Sequence, residues 1–281
     1  MCQFCVQHGE GQKWYLQAKN YSEDLLSDLR RRKFITEFFS PQESLESDAN
    51  QLERLERAPG FVRRVLRWRV SNSMKKVHFG QVLPIEDVES IFDFTTSVVR
   101  VSCICRRATV GRDERYCYAV SMAPNGGRMA EIIRAVDPSY LMGPDASELE
   151  VLSKDQAVSA FREHEREGLC HSVWTFHAPF IGGVCNCDRS DCMAMRATVT
   201  HGVPVMFRAE YVAEVEPQTC NGCRACMRLC QFGAIAYSAA QEKAVIDPRR
   251  CYGCGVCRSG CAPGAIGLLP RTEVPLAHNL W

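Results

Sequence analysis

The sequence lacks several features that would assign it to a common class of protein. No apolar run reaches the roughly 20 residues that a membrane-spanning helix needs, and no apolar signal region follows the amino-terminal residues. The motifs GxGxxG, GxxxxGK[ST], GxSxG and HExxH are also missing. The sequence therefore predicts no membrane span and no recognisable site for nucleotide, hydride or hydrolytic chemistry. We expect a cytoplasmic protein.

The chain also has little net charge. With a formal charge of +1 at pH 7, it shows no global bias toward nucleic acid, and we predict no nucleic-acid partner. Two stretches, residues 30–33 and 63–76, are locally basic. Residues 63–76 are predicted to form a helix that lies over the body and exposes its other face to water. A docking surface for an acidic partner is the alternative.

Cysteine, in contrast, is abundant. The 281 residues include 17 cysteines, whose spacings are typical of metal ligands rather than of a secreted disulfide framework, so a reducing, anaerobic setting is expected. Eight of them form two runs with identical spacing, and each cysteine of the first run recurs 31 positions later. The runs are Cys220-x2-Cys223-x2-Cys226-x3-Cys230 and Cys251-x2-Cys254-x2-Cys257-x3-Cys261.

This spacing suits two 4Fe-4S clusters. Three thiolates two residues apart can surround one side of a cubane, while the fourth cysteine of each run binds the other cluster. The predicted ligands of cluster 1 are Cys220, Cys223, Cys226 and Cys261, and those of cluster 2 are Cys251, Cys254, Cys257 and Cys230. Eight zinc-binding cysteines are the alternative.

Residues 211–270 resemble a bacterial-type dicluster ferredoxin. The resemblance implies two ββα repeats related by a pseudo-twofold axis. The family usually has proline directly after each fourth cysteine, whereas Gln231 and Ala262 occupy those positions here. We expect this departure to alter the local turn and the packing near the cluster without removing a ligand.

Six further cysteines lie in the middle of the chain in two triplets. Each triplet starts with Cys-x-Cys at a predicted strand end, where residues i and i+2 share a face and stand about 7 Å apart. Each could hold an additional iron-sulfur cluster, giving one or two more; zinc sites and buried structural thiols are the alternatives. The triplets are Cys103, Cys105, Cys117 and Cys185, Cys187, Cys192.

Three cysteines remain. Together with the six middle cysteines, Cys2 and Cys5 would make eight, the number needed for two additional cubanes. A zinc site made by Cys2, Cys5 and His8 is the competing interpretation. Cys170 opens a predicted strand and is interpreted as a core residue.

Periodicity and capping residues indicate the organisation of the chain. Helices are predicted after Ser22, around Leu45 to Leu55, over residues 61–76, from Pro84 to Phe94 and after Ser153, where Gln156 completes a capping box. Strands are predicted at 97–101 and 170–176, so the order helix, strand, Cys-x-Cys occurs twice and suggests a duplicated α/β half. We predict an α+β protein with a helical N-terminal region (1–80), a central α/β cysteine-rich domain (81–208), a dicluster ferredoxin domain (209–270) and a C-terminal tail (271–281).

A second resemblance covers most of residues 80–270. Residues 171–176 (His-Ser-Val-Trp-Thr-Phe) and 179–187, which end in Cys185-Asn186-Cys187, resemble iron-sulfur proteins of anaerobes with a Cys-x-Cys-Arg domain before a C-terminal dicluster ferredoxin. It implies the architecture and an additional cluster, but it names no reaction.

The leading functional hypothesis is an electron-transfer subunit that relays low-potential electrons to or from a redox protein partner, such as a multi-subunit oxidoreductase. Catalytic residues cannot be assigned from the sequence. The alternatives are a reductase whose central cluster has an open iron, and a redox- or metal-sensing regulator.

Overall fold

The computed structural model describes residues 3–10, 13–40, 59–142 and 147–280. Over these residues helices and strands are mixed, as the predicted α+β class requires. Among the described helices, none is long and apolar enough to cross a membrane. The helix predicted around Leu45 to Leu55 lies outside the described residues.

A seven-stranded sheet forms the body of the molecule. Its order is β4-β2-β3-β6-β5-β1-β7, and of the neighbouring strands only β1 and β7 run parallel. The inner strands are largely buried on both sides, a position that suits the three valines of β2. The strands are β1 (Gly80–Val82), β2 (Ser97–Val101), β3 (Cys117–Ser121), β4 (Val151–Leu152), β5 (Cys170–Thr175), β6 (Ile181–Cys187) and β7 (Met206–Phe207).

Helices flank this sheet, and several begin at the residues that the sequence indicated. The helix after Pro84 spans residues 85–94, and Ser153 and Gln156 form a reciprocal capping box with N···O distances of 3.3 and 2.9 Å. Ser22, in contrast, caps only a 3₁₀ turn, and Asp28 caps the α-helix that follows. The helices of the body are α1 (Gln3–Gly9), α2 (Leu29–Phe39), α3 (Gly60–Val77), α4 (Ile85–Phe94), α5 (Ile104–Val110), α6 (Gly127–Val136), α7 (Ser139–Met142), α8 (Lys154–Arg166) and α9 (Met193–Met195).

Each face of the sheet has its own hydrophobic core. Because side chains alternate along a strand, Val99 faces the core made with α2 and α6, whereas Val98 faces the core made with α4 and α8. The N-terminal residues enter both cores, Ile35 on the first side and Trp14 on the second. Residues 13–40 therefore contribute to both cores of the body.

The proposed duplication of the central domain is only partial. The strands β2 and β5 each follow a helix, α4 or α8, and these two helices pack on the same face of the sheet. Each strand then pairs with its successor, and the successors β3 and β6 lie side by side. The two Cys-x-Cys motifs are not equivalent, however: Cys103 follows β2, whereas Cys185 and Cys187 lie within β6, one strand later.

Residues 211–270 form two antiparallel two-stranded sheets that the internal repeat relates. Strand β8 (Tyr211–Val215) pairs with β11 (Ile266–Pro270), and β9 (Ile235–Ser238) pairs with β10 (Lys243–Ile246). A shift of 31 positions moves β8 onto β10 and β9 onto β11. It also moves α10 (Ala225–Leu229) onto the 3₁₀ turn Val256–Arg258. The sequence repeat is thus also a structural repeat.

This C-terminal module is attached to the body through residues of both its halves. Arg258 forms a bidentate ion pair with Glu86 of α4, with N···O distances of 2.6 and 2.8 Å. The guanidinium of Arg208 donates to the carbonyl oxygen of Cys251 at 2.6 Å. The stacked rings of Phe232 and Tyr252 contribute to the core on the α2 side of the sheet.

Candidate metal centres

The first candidate centre lies at the outer end of the C-terminal module. Three cysteines of the first run and the last cysteine of the second line one small cavity. Cys223 is exposed, whereas Cys226 is buried beside Cys261. The four lining cysteines are Cys220, Cys223, Cys226 and Cys261.

The second centre gathers the other four cysteines of the two runs. The thiols of Cys251 and Cys257 interact electrostatically with Cys254 and with Cys230 of the first run. Burial raises the pKa of Cys251 to about 11, and burial also raises the pKa of Cys257. Because burial disfavours the thiolate, a cation bound among these sulfurs would be needed to keep them ionised.

Backbone amides aim at the sulfurs in the same way in both halves. The amide of Ala234 donates to Cys230 Sγ, and that of Ala265 donates to Cys261 Sγ, each at 3.2 Å. The other equivalent pair, Cys220 and Cys251, accepts amides from Gly222 and Ala244 and from Gly253 and Ala213, respectively. Amide hydrogen bonds to sulfur stabilise thiolates and set the potentials of iron-sulfur clusters.

Two glycines allow the chain to turn inside each run. Gly222 and Gly253 have φ values of +70° and +71°, in the left-handed region that favours glycine. An added Cβ would lie 2.3 Å from the carbonyl oxygen of Glu242 or 2.1 Å from that of Tyr211. Both positions therefore require glycine, and for the same reason.

Residues 219–265 match the family model of the 4Fe-4S dicluster domain. The C-terminal module is therefore an iron-sulfur domain of the ferredoxin type, and its role is electron transfer. Comparison with curated proteins finds no match to the chain. The donor set fits the cofactor, because each group of four thiols is surrounded by amides that can compensate sulfur charge.

A third centre lies outside the ferredoxin-type domain, on the α2 side of the sheet. A cavity of about 100 Å³ has all six middle cysteines on its wall, together with aromatic side chains such as Phe79 and Trp174. The cavity could hold several waters by volume, yet its wall is almost entirely carbon and sulfur. Such a wall suits a thiophilic metal group better than water. The cysteines are Cys103, Cys105, Cys117, Cys185, Cys187 and Cys192.

The six thiols are grouped differently from the two sequence triplets. Cys117 lies directly opposite Cys185 on neighbouring strands and also hydrogen-bonds with Cys103. Cys192 accepts hydrogen bonds from both Cys105 and Cys187, one from each triplet. The triplets therefore converge on one site.

The expectation that each Cys-x-Cys lies on a strand face is correct for only one pair. Cys185 and Cys187 share a face of β6, as predicted. Cys103 instead caps α5, and Cys105 lies in the first turn of that helix. The strand β2 ends at Val101, and no capping side chain in the sequence signals the change to helix.

A buried arginine supplies positive charge to this third centre. Arg106 Nη1 lies 3.4 Å from Cys103 Sγ, and its guanidinium also pairs with Asp188 and Glu114. The Nε to Glu114 distance is 3.0 Å, but the angle makes this a contact of charges rather than an aligned hydrogen bond. Hydrogen bonds from Cys105 and Cys187 lower the pKa of Cys192 well below its usual value. The pKa values of the other five thiols, in contrast, are raised by burial and by hydrogen bonds and charge interactions among the thiols, so a bound metal group would be needed to ionise them all.

None of these centres is arranged as a ready site for a single metal ion. Among the described residues, no group of three or more Cys, His, Asp or Glu side chains surrounds one ion. The cysteines of the ferredoxin-type domain, whose family binds clusters, are no exception.

Cys170 has a role that sequence analysis missed. It lies opposite Cys187 on the neighbouring strand, and its thiol can donate a hydrogen bond either to the carbonyl oxygen of His171, at 3.6 Å, or to Cys254 of the C-terminal module. The hydrogen bond to Cys254 lowers the pKa of that thiol. A lone thiol on a strand looks like a small core residue, and its contact across the domain boundary has no local signal.

Gln231, one of the departures from the ferredoxin pattern, also joins the two domains. Its side-chain amide donates to the carbonyl oxygen of Gly168 at 2.8 Å and accepts the amide of Arg189 at 3.0 Å. Proline at this position could make neither bond. The departure therefore coincides with a bridge to the body.

The N-terminal cysteines are not brought to the six thiols within the described residues. Cys5 is buried beside Phe4 and Trp14 in the core on the opposite face of the sheet. Cys2 lies outside the described residues. Burial, with a smaller effect of Lys19, lowers the pKa of His8. A cubane shared between Cys5 and the six would have to pass through the sheet.

Proposed function

We propose that the chain relays low-potential electrons between a redox protein partner, such as a multi-subunit oxidoreductase, and a further iron-sulfur cluster in its own central domain. When bound, the clusters supply one-electron redox chemistry. The observation that carries the proposal is that neighbouring groups of thiols interact electrostatically: Cys226 of the outer group with Cys257 of the inner group, and Cys170 with both Cys254 and Cys192 of the six-thiol cavity. A reducing, anaerobic cytoplasm suits such a protein.

The ligand assignment follows the two groups of four thiols. Cys261 supports the crossed assignment because it lines the cavity of Cys220, Cys223 and Cys226. Cys230 supports it in the same way, through its interactions with Cys251 and Cys257. Each fourth cysteine would thus bind the cluster of the other run, as the spacing predicts.

The order of the relay follows from exposure. Cluster 1 would lie outermost, because Cys223 is exposed to solvent and to any partner. Cluster 2 would lie inside it, since Cys254 contacts Cys170 of the body. Cys170 and Cys187 are cross-strand partners, so only one residue separates the ligands of cluster 2 from the six-thiol cavity.

The cavity favours a relay over a reductase with an open iron. Six thiols line it, so a cubane there would have a thiol for each iron and none left open to substrate. Arg106 would offset part of the negative charge of the thiolates and make the cluster easier to reduce. Zinc would only brace the fold, since it has no redox chemistry.

The test is an anaerobic reductive titration that counts the electrons accepted per chain. The whole protein is compared with the variant Cys185→Ala/Cys187→Ala/Cys192→Ala, which leaves only three of the six thiols, too few for a cubane. Cys5→Ala, on the other face of the sheet, is the control. We expect the triple variant to accept one electron fewer and to lose the iron of one cluster, while the control accepts as many as the whole protein. Equal electron counts with zinc in the centre would refute the relay and leave a two-cluster electron carrier.

A further inference from the structure

The helix α3 (Gly60–Val77) exposes an unusual amount of apolar surface. None of its described side chains is fully buried, and Phe61, Val65 and Trp68 are 75%, 48% and 64% exposed. Surface aromatic residues that cluster in this way mark interaction sites. In the described part of the chain, no residue of α3 lines the six-thiol cavity or the cavity of the first cysteine group.

The three apolar residues form one stripe along the helix. Their spacing of i, i+4 and i+7 places them on a single face. Arg67, on the other side of the helix, packs against Gly202 of the body, where an added Cβ would lie 3.3 Å from its guanidinium carbon. This contact fixes the orientation of α3, so that the stripe points away from the body.

Positive charge borders the stripe. The sequence of α3 contains six basic residues and no acidic residue. On a helical projection, Arg64 lies on one side of the stripe and Arg69 and Lys76 on the other, and all three are exposed. An apolar stripe with basic margins complements a surface that carries negative charge on its outside and is apolar underneath that layer.

We propose that α3 lies in the plane of an anionic lipid bilayer, with Phe61, Val65 and Trp68 inserted at the headgroup level. Long arginine and lysine side chains can reach lipid phosphates while their stems stay along apolar surface, and tryptophan favours this interface. The stripe stands out from a convex helix, which suits a planar surface better than the groove that a protein partner would need. The chain would thus bind at the membrane surface without spanning the bilayer.

Vesicle co-sedimentation of the full-length, anaerobically purified protein tests this proposal. One set of vesicles is phosphatidylcholine alone, and the other contains an equal share of phosphatidylglycerol. The variants are Phe61→Ser/Trp68→Ser for the stripe and Arg64→Glu/Arg69→Glu for its margins. The control is Arg30→Glu/Lys33→Glu, which makes the same charge change on the exposed face of α2.

We expect binding to the anionic vesicles only, with a blue shift of tryptophan emission that disappears in Phe61→Ser/Trp68→Ser, since Trp14 and Trp174 are already buried. Both α3 variants should bind at least about tenfold more weakly, because each basic contact contributes severalfold to affinity, and the α2 control should bind as the whole protein does. If the α2 control loses as much affinity for the vesicles as the α3 variants do, binding depends only on the net charge of the protein, and the proposal is wrong. Binding to poly-glutamate but not to vesicles would assign the stripe to an acidic protein instead.

Discussion

The thiol of Cys170 donates a hydrogen bond to a cysteine of the ferredoxin-type domain, Cys254, and should therefore tune the cluster beside it. A donor to a ligand sulfur stabilises the more negative, reduced state. We expect Cys170→Ala to lower the reduction potential of one cluster by roughly 40 mV, which corresponds to ~1 kcal/mol for one electron. An EPR-monitored redox titration measures it. Cys170→Ser, which keeps a donor, is the matched control, and an unchanged potential in Cys170→Ala would show that the hydrogen bond has no effect.

Gln231 should contribute to stability through the bridge that it forms between the domains. We expect Gln231→Ala to lower the free energy of unfolding by about 1 kcal/mol, since two hydrogen bonds between the domains are lost, one of them part-buried and the other exposed. Denaturant unfolding under anaerobic conditions measures the change. The control is Ala262→Gln at the equivalent, exposed position of the other half, which should change stability by less than about 0.5 kcal/mol. Equal effects at both positions would contradict the bridge.

Glu165 should make stability depend on pH near neutrality. Burial raises its pKa to about 7 from the usual 4.5, and its Oε1 has no hydrogen-bond partner among the described residues. Between these values the folded state holds more protons than the unfolded state, so stability falls as the pH rises through 7. The difference of 7 − 4.5 = 2.5 units corresponds to at most ~3 kcal/mol.

We expect Glu165→Gln, which stays neutral, to remove this decline. Unfolding free energies measured at pH 6 and pH 8 should differ less in the variant than in the wild type. Glu163→Gln, on the same helix but exposed, is the control. Parallel pH profiles for all three proteins would rule Glu165 out as the titrating group.

Individual cysteines differ in how far the sequence could predict them. The eight cysteines of the C-terminal runs could be grouped in advance because their spacing alone limits how a chain can surround a cubane. The mixing of the middle triplets could not be predicted, since it depends on the register that sets Cys117 opposite Cys185. Strand register is a property of the whole sheet rather than of a local segment.

At the scale of elements, local signals found the helices and strands but not their arrangement. The capping box at Ser153 and the proline at Pro84 correctly predicted where two helices begin. Neither signal indicates that β3 and β6 meet at the centre of the sheet, because pairing partners are chosen by burial over long distances in sequence. The N-terminal helices likewise have no local signal that they enter both cores.

The turn inside each cysteine run should be equally sensitive in the two halves of the ferredoxin-type domain. We expect Gly222→Ala and Gly253→Ala each to lower the free energy of unfolding by at least about 2 kcal/mol. Alanine is strained at a positive φ, and its Cβ would clash with a carbonyl oxygen. Each should also lower the iron content. Gly267→Ala in β11, where no atom lies within 4 Å of an added Cβ, is the control and should keep full iron. Normal iron in both variants would show that the turns can relax.

At the scale of the whole molecule, the body and the C-terminal domain differ in what holds them together. The body has two cores of large apolar side chains, whereas the core of the C-terminal domain consists mostly of cysteine, alanine and valine. A domain of this size buries too little apolar surface to be stable without bound metal. The part of this domain around Cys230 and Cys254, however, also rests on the body through Phe232, Tyr252 and the Arg258–Glu86 ion pair.

Iron should therefore leave the protein in two phases when a chelator is added under anaerobic conditions. The first phase should release the cluster beside the exposed Cys223, and the slow phase the cluster that the body covers. Glu86→Gln weakens the ion pair with Arg258 and should speed the slow phase alone, by severalfold. Glu89 is on α4, like Glu86, but it pairs with Arg162 of α8 within the body. Glu89→Gln should therefore leave both phases unchanged. EPR and iron analysis along the time course follow the two clusters, and a single phase in the wild type would mean that contact with the body protects neither of them.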